Sequence, residues 1–203
     1  MKRVLMLDVD GVLVHSHNGG SWAADIERDL GIDPDRLSAE FFATHWPDVI
    51  LGRKHLHAAL DDCLPELSET LTAQEFIDYW FSRDSMIDEA VLADARALKG
   101  EGFAIYLATN QEHQRARYLM EAMGLAADVD GIIYSAAIGE KKPRPGFFAA
   151  AERVSGFTGE QCVFIDDQLG NIEAARAFGW HPLHWTGRQD LISLVNTAAQ
   201  QGW

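Results

Sequence analysis

The stretch Lys2-Arg3-Val4-Leu5-Met6-Leu7-Asp8-Val9-Asp10-Gly11-Val12-Leu13 decides the fold and points to the chemistry. Its first half is an apolar run of strand length. Two aspartates follow, one residue apart, and Gly11 then permits a tight turn. Residues i and i+2 of a strand lie on one side, so Asp8 and Asp10 converge on one small volume. In an open α/β sheet, ligands bind at that place, outside the carboxyl ends of the strands. Clustered carboxylates with room for a hard cation predict a magnesium site and phosphate chemistry. Alone, an Asp-x-Asp-Gly segment is more often an ordinary turn, so the rest of the chain must supply partners.

Beyond residue 88 the chain alternates helix and strand. Helical spacing covers 88–99, 112–123, 146–154, 171–178 and 190–199. Apolar strand-like runs lie between them at 103–108, 131–134, 162–165 and 181–185. Such alternation predicts an α/β fold, a Rossmann-like doubly wound parallel sheet with helices on both faces. Residues 15–86 differ. Helical apolar spacing recurs at 22–30, 35–45, 52–64 and 72–81, and no strand is convincing among them. The expected organisation is a core domain of residues 1–14 and 87–203, with 15–86 as an all-helical cap inserted after the first strand. Trp22, Trp46, Trp80, Phe41, Phe42 and Phe76 are its expected core.

Parallel strands end on one edge, so polar residues at their ends share one cleft. The first strand contributes Asp8 and Asp10, and the next ends at Thr109-Asn110. A loop brings Lys142 in Gly139-Glu140-Lys141-Lys142-Pro143, and a further apolar strand ends at Asp166-Asp167. Each has an ordinary explanation alone: a helix cap for Thr109, a turn for Asn110, a solvated lysine, an N-cap pair. Four coincidences at matching positions argue for one site.

These four segments, in this order and spacing across nearly the whole chain, resemble the four motifs of the haloacid dehalogenase superfamily of hydrolases. The helical insertion after the first motif is similar to that family's small helical cap subclass. The resemblance implies that Asp8 is a nucleophile forming an aspartyl-phosphate. Asp10 is then the general acid to the leaving alcohol and the base toward water. Lys142 neutralises Asp8 and the phosphoryl oxygens, and the Thr109 hydroxyl and Asn110 amide hydrogen-bond the phosphoryl group. Mg²⁺ is implied on side-chain oxygens of Asp8 and Asp167 and on the Asp10 backbone carbonyl, with Asp166 orienting a metal-bound water or a ligand. Which of Asp166 and Asp167 bonds the metal stays open at this level. Dehalogenases of the family lack the second aspartate and the acidic cluster, so Asp10, Asp166 and Asp167 together favour phosphoryl transfer. The expected activity is a Mg²⁺-dependent phosphatase acting on a small phosphomonoester, with sugar phosphates foremost. A sugar phosphomutase is the alternative; a 2-haloacid dehalogenase or a noncatalytic binding protein follows behind it.

Composition narrows the partners. Among 203 residues the net charge is −14 and the pI about 4.8. That disfavours nucleic acid and anionic membranes as partners. Cys63 and Cys162 have no metal-ligand spacing, and a reducing cytoplasm is the default location. The apolar run cut by Asp8 is too short for a signal peptide. A monomer or homodimer is expected. In the cap, Gly52-Arg53-Lys54-His55-Leu56-His57 is cationic within an acidic chain. Arg53 or Lys54 could read an anionic leaving group, although solvated residues beside a helix start are the plainer reading. His15 and His17 fall in the expected hinge. With no further ligands nearby, neither His-x-His pair supports a zinc site.

Overall fold

The computed structural model describes residues 2–200. Its centre is a five-stranded sheet in the order β5-β4-β1-β6-β7. The strands are β1 (Val4–Leu7), β4 (Ala104–Thr109), β5 (Gly131–Tyr134), β6 (Cys162–Asp166) and β7 (His181–His184). Every pairing in this sheet is parallel. The doubly wound α/β expectation is thereby met. Successive side chains of β1 enter opposite cores. Leu5 and Leu7 join the apolar cluster with Leu92, Leu98 and Leu191, whereas Val4 and Met6 join Phe147, Phe148 and Trp180. Burial on both faces explains why β1 reads as an unbroken apolar run rather than an alternation.

The helices between 26 and 83 close around a separate apolar cluster that includes Phe41, Leu60, Phe76 and Trp80. Trp22 stacks on Trp80 at 4.7 Å between ring centroids, and Trp46 sits 5.4 Å from the same ring. Helix boundaries here shift from the sequence expectation. The run expected at 35–45 divides into Pro34–Leu37 and a π-helical turn, Ser38–Ala43, and a short helix, Trp46–Val49, was not foreseen. The run at 72–81 becomes Ala73–Arg83, opened by Thr72 in a capping box with Glu75.

Two short strands were also not foreseen. β2 (Val14–His15) and β3 (Met86–Ile87) pair antiparallel, joining the segments that enter and leave the helical region. Two residues per strand carry too little periodicity to stand out in sequence. The pair is held by its ends: Ser16 Oγ donates to Asp84 Oδ1 at 2.8 Å, and Asp88 N–H donates to the Leu13 carbonyl.

Candidate active site

Strand register assembles the site. Leu7 is level with Leu107 of β4 and Ile165 of β6. One residue further, Asp8 and Asp166 stand side by side at the strand ends. Asp8 N–H donates to the Ile165 carbonyl at 2.9 Å, which continues the sheet into the site. The chain then winds into a tight turn, with Leu13 N–H and Val14 N–H both donating to the Val9 carbonyl. Gly11 is required twice over. Its φ is +80°, and a Cβ there would lie 2.7 Å from Asp167 Oδ2.

Lys142 is the hub. It is buried, and its Nζ lies 2.8 Å from Asp8 Oδ1 and 2.7 Å from Asp166 Oδ2. Burial alone would lower the ammonium pKa, but Asp8 and Asp166 raise it, so Lys142 remains charged. Asp8 also accepts from Val9 N–H at 2.8 Å. Even so, burial pushes the Asp8 carboxyl up to about 7, against the lowering effect of Lys142. One ammonium therefore does not offset the cost of burying this carboxylate.

The two aspartates of the fourth segment separate cleanly. Asp166 Oδ1 accepts from Gln168 N–H and Asn171 Nδ2, and Oδ2 accepts from Lys142 and Asn171. Its oxygens are thus committed to holding protein groups. Asp167 is half-buried and accepts one side-chain bond, from Gln168 Nε2 to Oδ2 at 2.8 Å. Asp8, Asp166 and Asp167 each offer an oxygen within 4.8 Å of the others.

Asp8, Asp10, Thr109, Asn110, Lys142 and Asp167 line one cleft of about 350 Å³. Asp10 faces its open side, yet the surrounding protein raises its carboxyl to about 6, with Arg115 acting in the opposite direction. A larger hollow of about 670 Å³ meets the cleft at Gly11 and Asp167 and is lined by His15. Apart from Asp167, its carboxylates are occupied at helix starts: Asp88 holds Ala90 and Val91 N–H, Asp94 holds Leu191 N–H, and Asp190 holds Ser193 N–H. The smaller cleft, which holds Lys142 and Asp8 at the ends of the central strands, is the candidate chemical centre.

A profile described as haloacid dehalogenase-like hydrolase matches residues 2–179, most of the chain. The chain belongs to this family. Among curated relatives, a phosphoglycolate phosphatase of Pseudomonas putida is 28% identical over 192 residues, covering 88% of this chain and 67% of that protein. One from Colwellia psychrerythraea is 27% identical, covering 87% of this chain and 80% of its own. A HAD family enzyme from Bacteroides thetaiotaomicron, solved as a magnesium complex, superposes with a TM-score of 0.81. It is 18% identical and covers 96% of this chain and 98% of that one, a likeness of fold.

Within this haloacid dehalogenase-like hydrolase, Asn110, expected on the phosphoryl group, lines the cleft. Its Nδ2 also donates to the Lys142 carbonyl at 3.0 Å, and its Oδ1 accepts Lys142 N–H at 2.8 Å. It clasps the lysine loop, because both amide atoms match the two backbone groups of one residue. Lys54 pairs with Asp62 at 2.6 Å and contacts His45 Nδ1 at 3.0 Å, while Arg53 reaches Asp48 at 3.4 Å. Both cations are spent inside the helical region, and neither lines the cleft. His17 contacts Ser85 Oγ at 3.0 Å, and no tryptophan lines the cleft.

The sequence reading missed Gln111, whose Nε2 donates to Asp10 Oδ2 at 2.5 Å. It also missed Arg115, which is buried and donates to the carbonyls of Phe81 and Asp84 at the end of helix Ala73–Arg83. Gln111 directly follows Thr109-Asn110, so its position was a signal. Arg115 reads as one more basic residue of a surface helix and carried none.

Proposed function

We propose that this hydrolase is a Mg²⁺-dependent phosphatase of small phosphomonoesters, working through an aspartyl-phosphate on Asp8. The observation that carries the reading is Lys142, buried between Asp8 and Asp166 at the base of a carboxylate-lined cleft. An ammonium so placed neutralises a carboxylate nucleophile and the incoming phosphoryl oxygens together.

The metal fits the residues. The donors are all oxygen, as a hard cation prefers, and Asp8, Asp166 and Asp167 bring three carboxylates together where Lys142 supplies one ammonium. Asp8 and Asp167 would hold it by side-chain oxygens and Asp10 by its backbone carbonyl, with Asp166 reserved for Lys142 and Asn171. Bound there, magnesium supplies charge neutralisation for the phosphoryl oxygens and keeps Asp8 ionised.

The chain's own groups then divide the work. An Asp8 carboxylate oxygen attacks phosphorus while the bond to the leaving oxygen breaks. Asp10 gives that oxygen its proton, which suits a carboxyl raised to about 6. Asp10 next takes a proton from water as the water attacks phosphorus, freeing phosphate and restoring Asp8. Thr109 and Lys142 border the transferring group. Residues 15–86 act as a cap over residues 1–14 and 87–203, and the cap excludes water and selects the leaving group. Relatives named phosphoglycolate phosphatase add small phosphorylated carboxylates to sugar phosphates as candidate substrates.

The test is phosphate release from sugar phosphates, phosphoglycolate and nucleotides, with Mg²⁺ and with chelator. Release that needs Mg²⁺ and disappears in Asp8→Asn is expected. Isomerised sugar phosphate without net release would replace the phosphatase with a mutase.

A further inference from the structure

We infer that Gln111 is a positioning residue for Asp10, and that Ser135 ties it to the loop at residues 50–52 of the helical region. The inference rests on the acid/base reading of Asp10. Among the described residues, Gln111 is the one side chain that hydrogen-bonds the Asp10 carboxylate, and Gln111 itself is buried. A carboxylic acid has one O–H and one carbonyl oxygen that accepts. By donating to Oδ2, Gln111 makes that oxygen the acceptor and leaves Oδ1 to carry the transferable proton. It also holds a carboxylate that otherwise stands on an open turn.

The anchor of Gln111 reaches across to the helical region. Its carbonyl accepts Ala136 N–H at 3.1 Å and Ser135 Oγ at 3.0 Å. Ser135 is fully buried and lies 2.7 Å from a second acceptor, the Ile50 carbonyl. One hydroxyl proton is shared between the strand-end residue that aims Asp10 and the loop that follows helix Trp46–Val49. Gly52 brings that loop to the closest approach two backbones allow. A Cβ there would lie 2.3 Å from the Ala136 carbonyl oxygen and 2.9 Å from His113 Nε2, at a φ of +71°. The loop therefore seats on the turn that fixes Gln111. Seating the loop and aiming Asp10 are one packing event.

The readout is leaving-group dependence in the full-length enzyme with Mg²⁺. An alkyl phosphate requires a proton on its departing oxygen; para-nitrophenyl phosphate does not. Gln111→Met keeps volume and removes the donor. Misplacing a reacting group costs up to about 100-fold, so kcat on the best alkyl phosphate should fall about tenfold or more while the aryl ester loses under about threefold. Retained aryl turnover certifies the fold. Equal losses on both esters, or none, overturn the positioning role. Asp10→Asn is measured alongside: if it shows no contrast between esters, the acid reading of Asp10 has failed instead. Ser135→Ala should produce the same contrast, smaller, and add nothing to it in the double variant with Gln111→Met. A contrast that adds fully in the double variant, or is absent in Ser135→Ala, separates the loop from Gln111.

Discussion

The sheet-bearing part of the chain and the helices between 26 and 83 both close around apolar cores, yet they treat charge in opposite ways. Asp8, Thr109, Gln111, Glu112, Arg115, Ser135, Lys142, Asp166 and Asn171 are buried, and all belong to the sheet-bearing part. The helical region keeps its charges outside, in pairs such as Arg28–Asp25 and Lys54–Asp62. Burying an ion costs several kcal/mol unless partners restore its solvation. Here Asp8, Lys142, Asp166 and Asn171 form one bonded chain, Ser135 is bonded to Gln111, and Arg115 to Glu112. The helical region needs only shape, which an aromatic cluster supplies. Ser135, Arg115 and Gly52 join the two parts edge to edge.

The contrast can be broken most decisively at Asp8. Asp8→Asn should lower turnover by at least about 10⁴-fold, as nucleophile removal does elsewhere. Its unfolding midpoint in chelator should hold or rise, because one excess buried charge is gone. Substantial remaining turnover would falsify the nucleophile assignment. Lys142→Met should fail in both respects. Turnover should fall about 10²–10³-fold from lost charge stabilisation. Denaturant unfolding in chelator should register a loss of about 3–5 kcal/mol, since Asp8 and Asp166 lose their shared cation. A variant as stable as the wild type would show that the cluster is not held by this ion pair.

Phe76→Ala, in the other region, should cost a similar 3–5 kcal/mol through a cavity. The Mg²⁺ requirement of the folded fraction should stay as it was. A changed metal requirement would mean that the helical core shapes the metal site itself. Gly52→Ala combines a disfavoured φ with a backbone clash and should cost about 1–3 kcal/mol. Its kinetic effect should fall more on the alkyl esters than on aryl phosphate. Lys54→Met lies at the small end, within about 1 kcal/mol in stability, with kcat/KM within about twofold of wild type. A selective loss on anionic substrates would restore the cationic segment as a substrate reader.

Much of the site was legible because it sits at strand ends. Asp8 and Asp10 follow directly on the apolar run of β1, in the turn that leaves it, and Asp166 closes the run of β6. The roles inside the cluster were less legible. Asp166 and Asp167 are chemically identical, and only the donors around Asp166 distinguish them. The grip of the Asn110 amide on the Lys142 backbone depends likewise on where that loop lies.

Alternating helix and strand signals, turn glycines and carboxylates after apolar runs depend on neighbours a few residues apart. From these came the parallel α/β sheet, the run of helices after its first strand, and the carboxylate-bearing edge with Lys142. The pairing of β2 with β3, the burial of Arg115, the grip of Gln111 on Asp10 and the seat of Gly52 on Ala136 join residues far apart in the chain. Their partners are chosen by packing in three dimensions, where a hydrogen bond or a steric contact depends on distances that no local pattern carries.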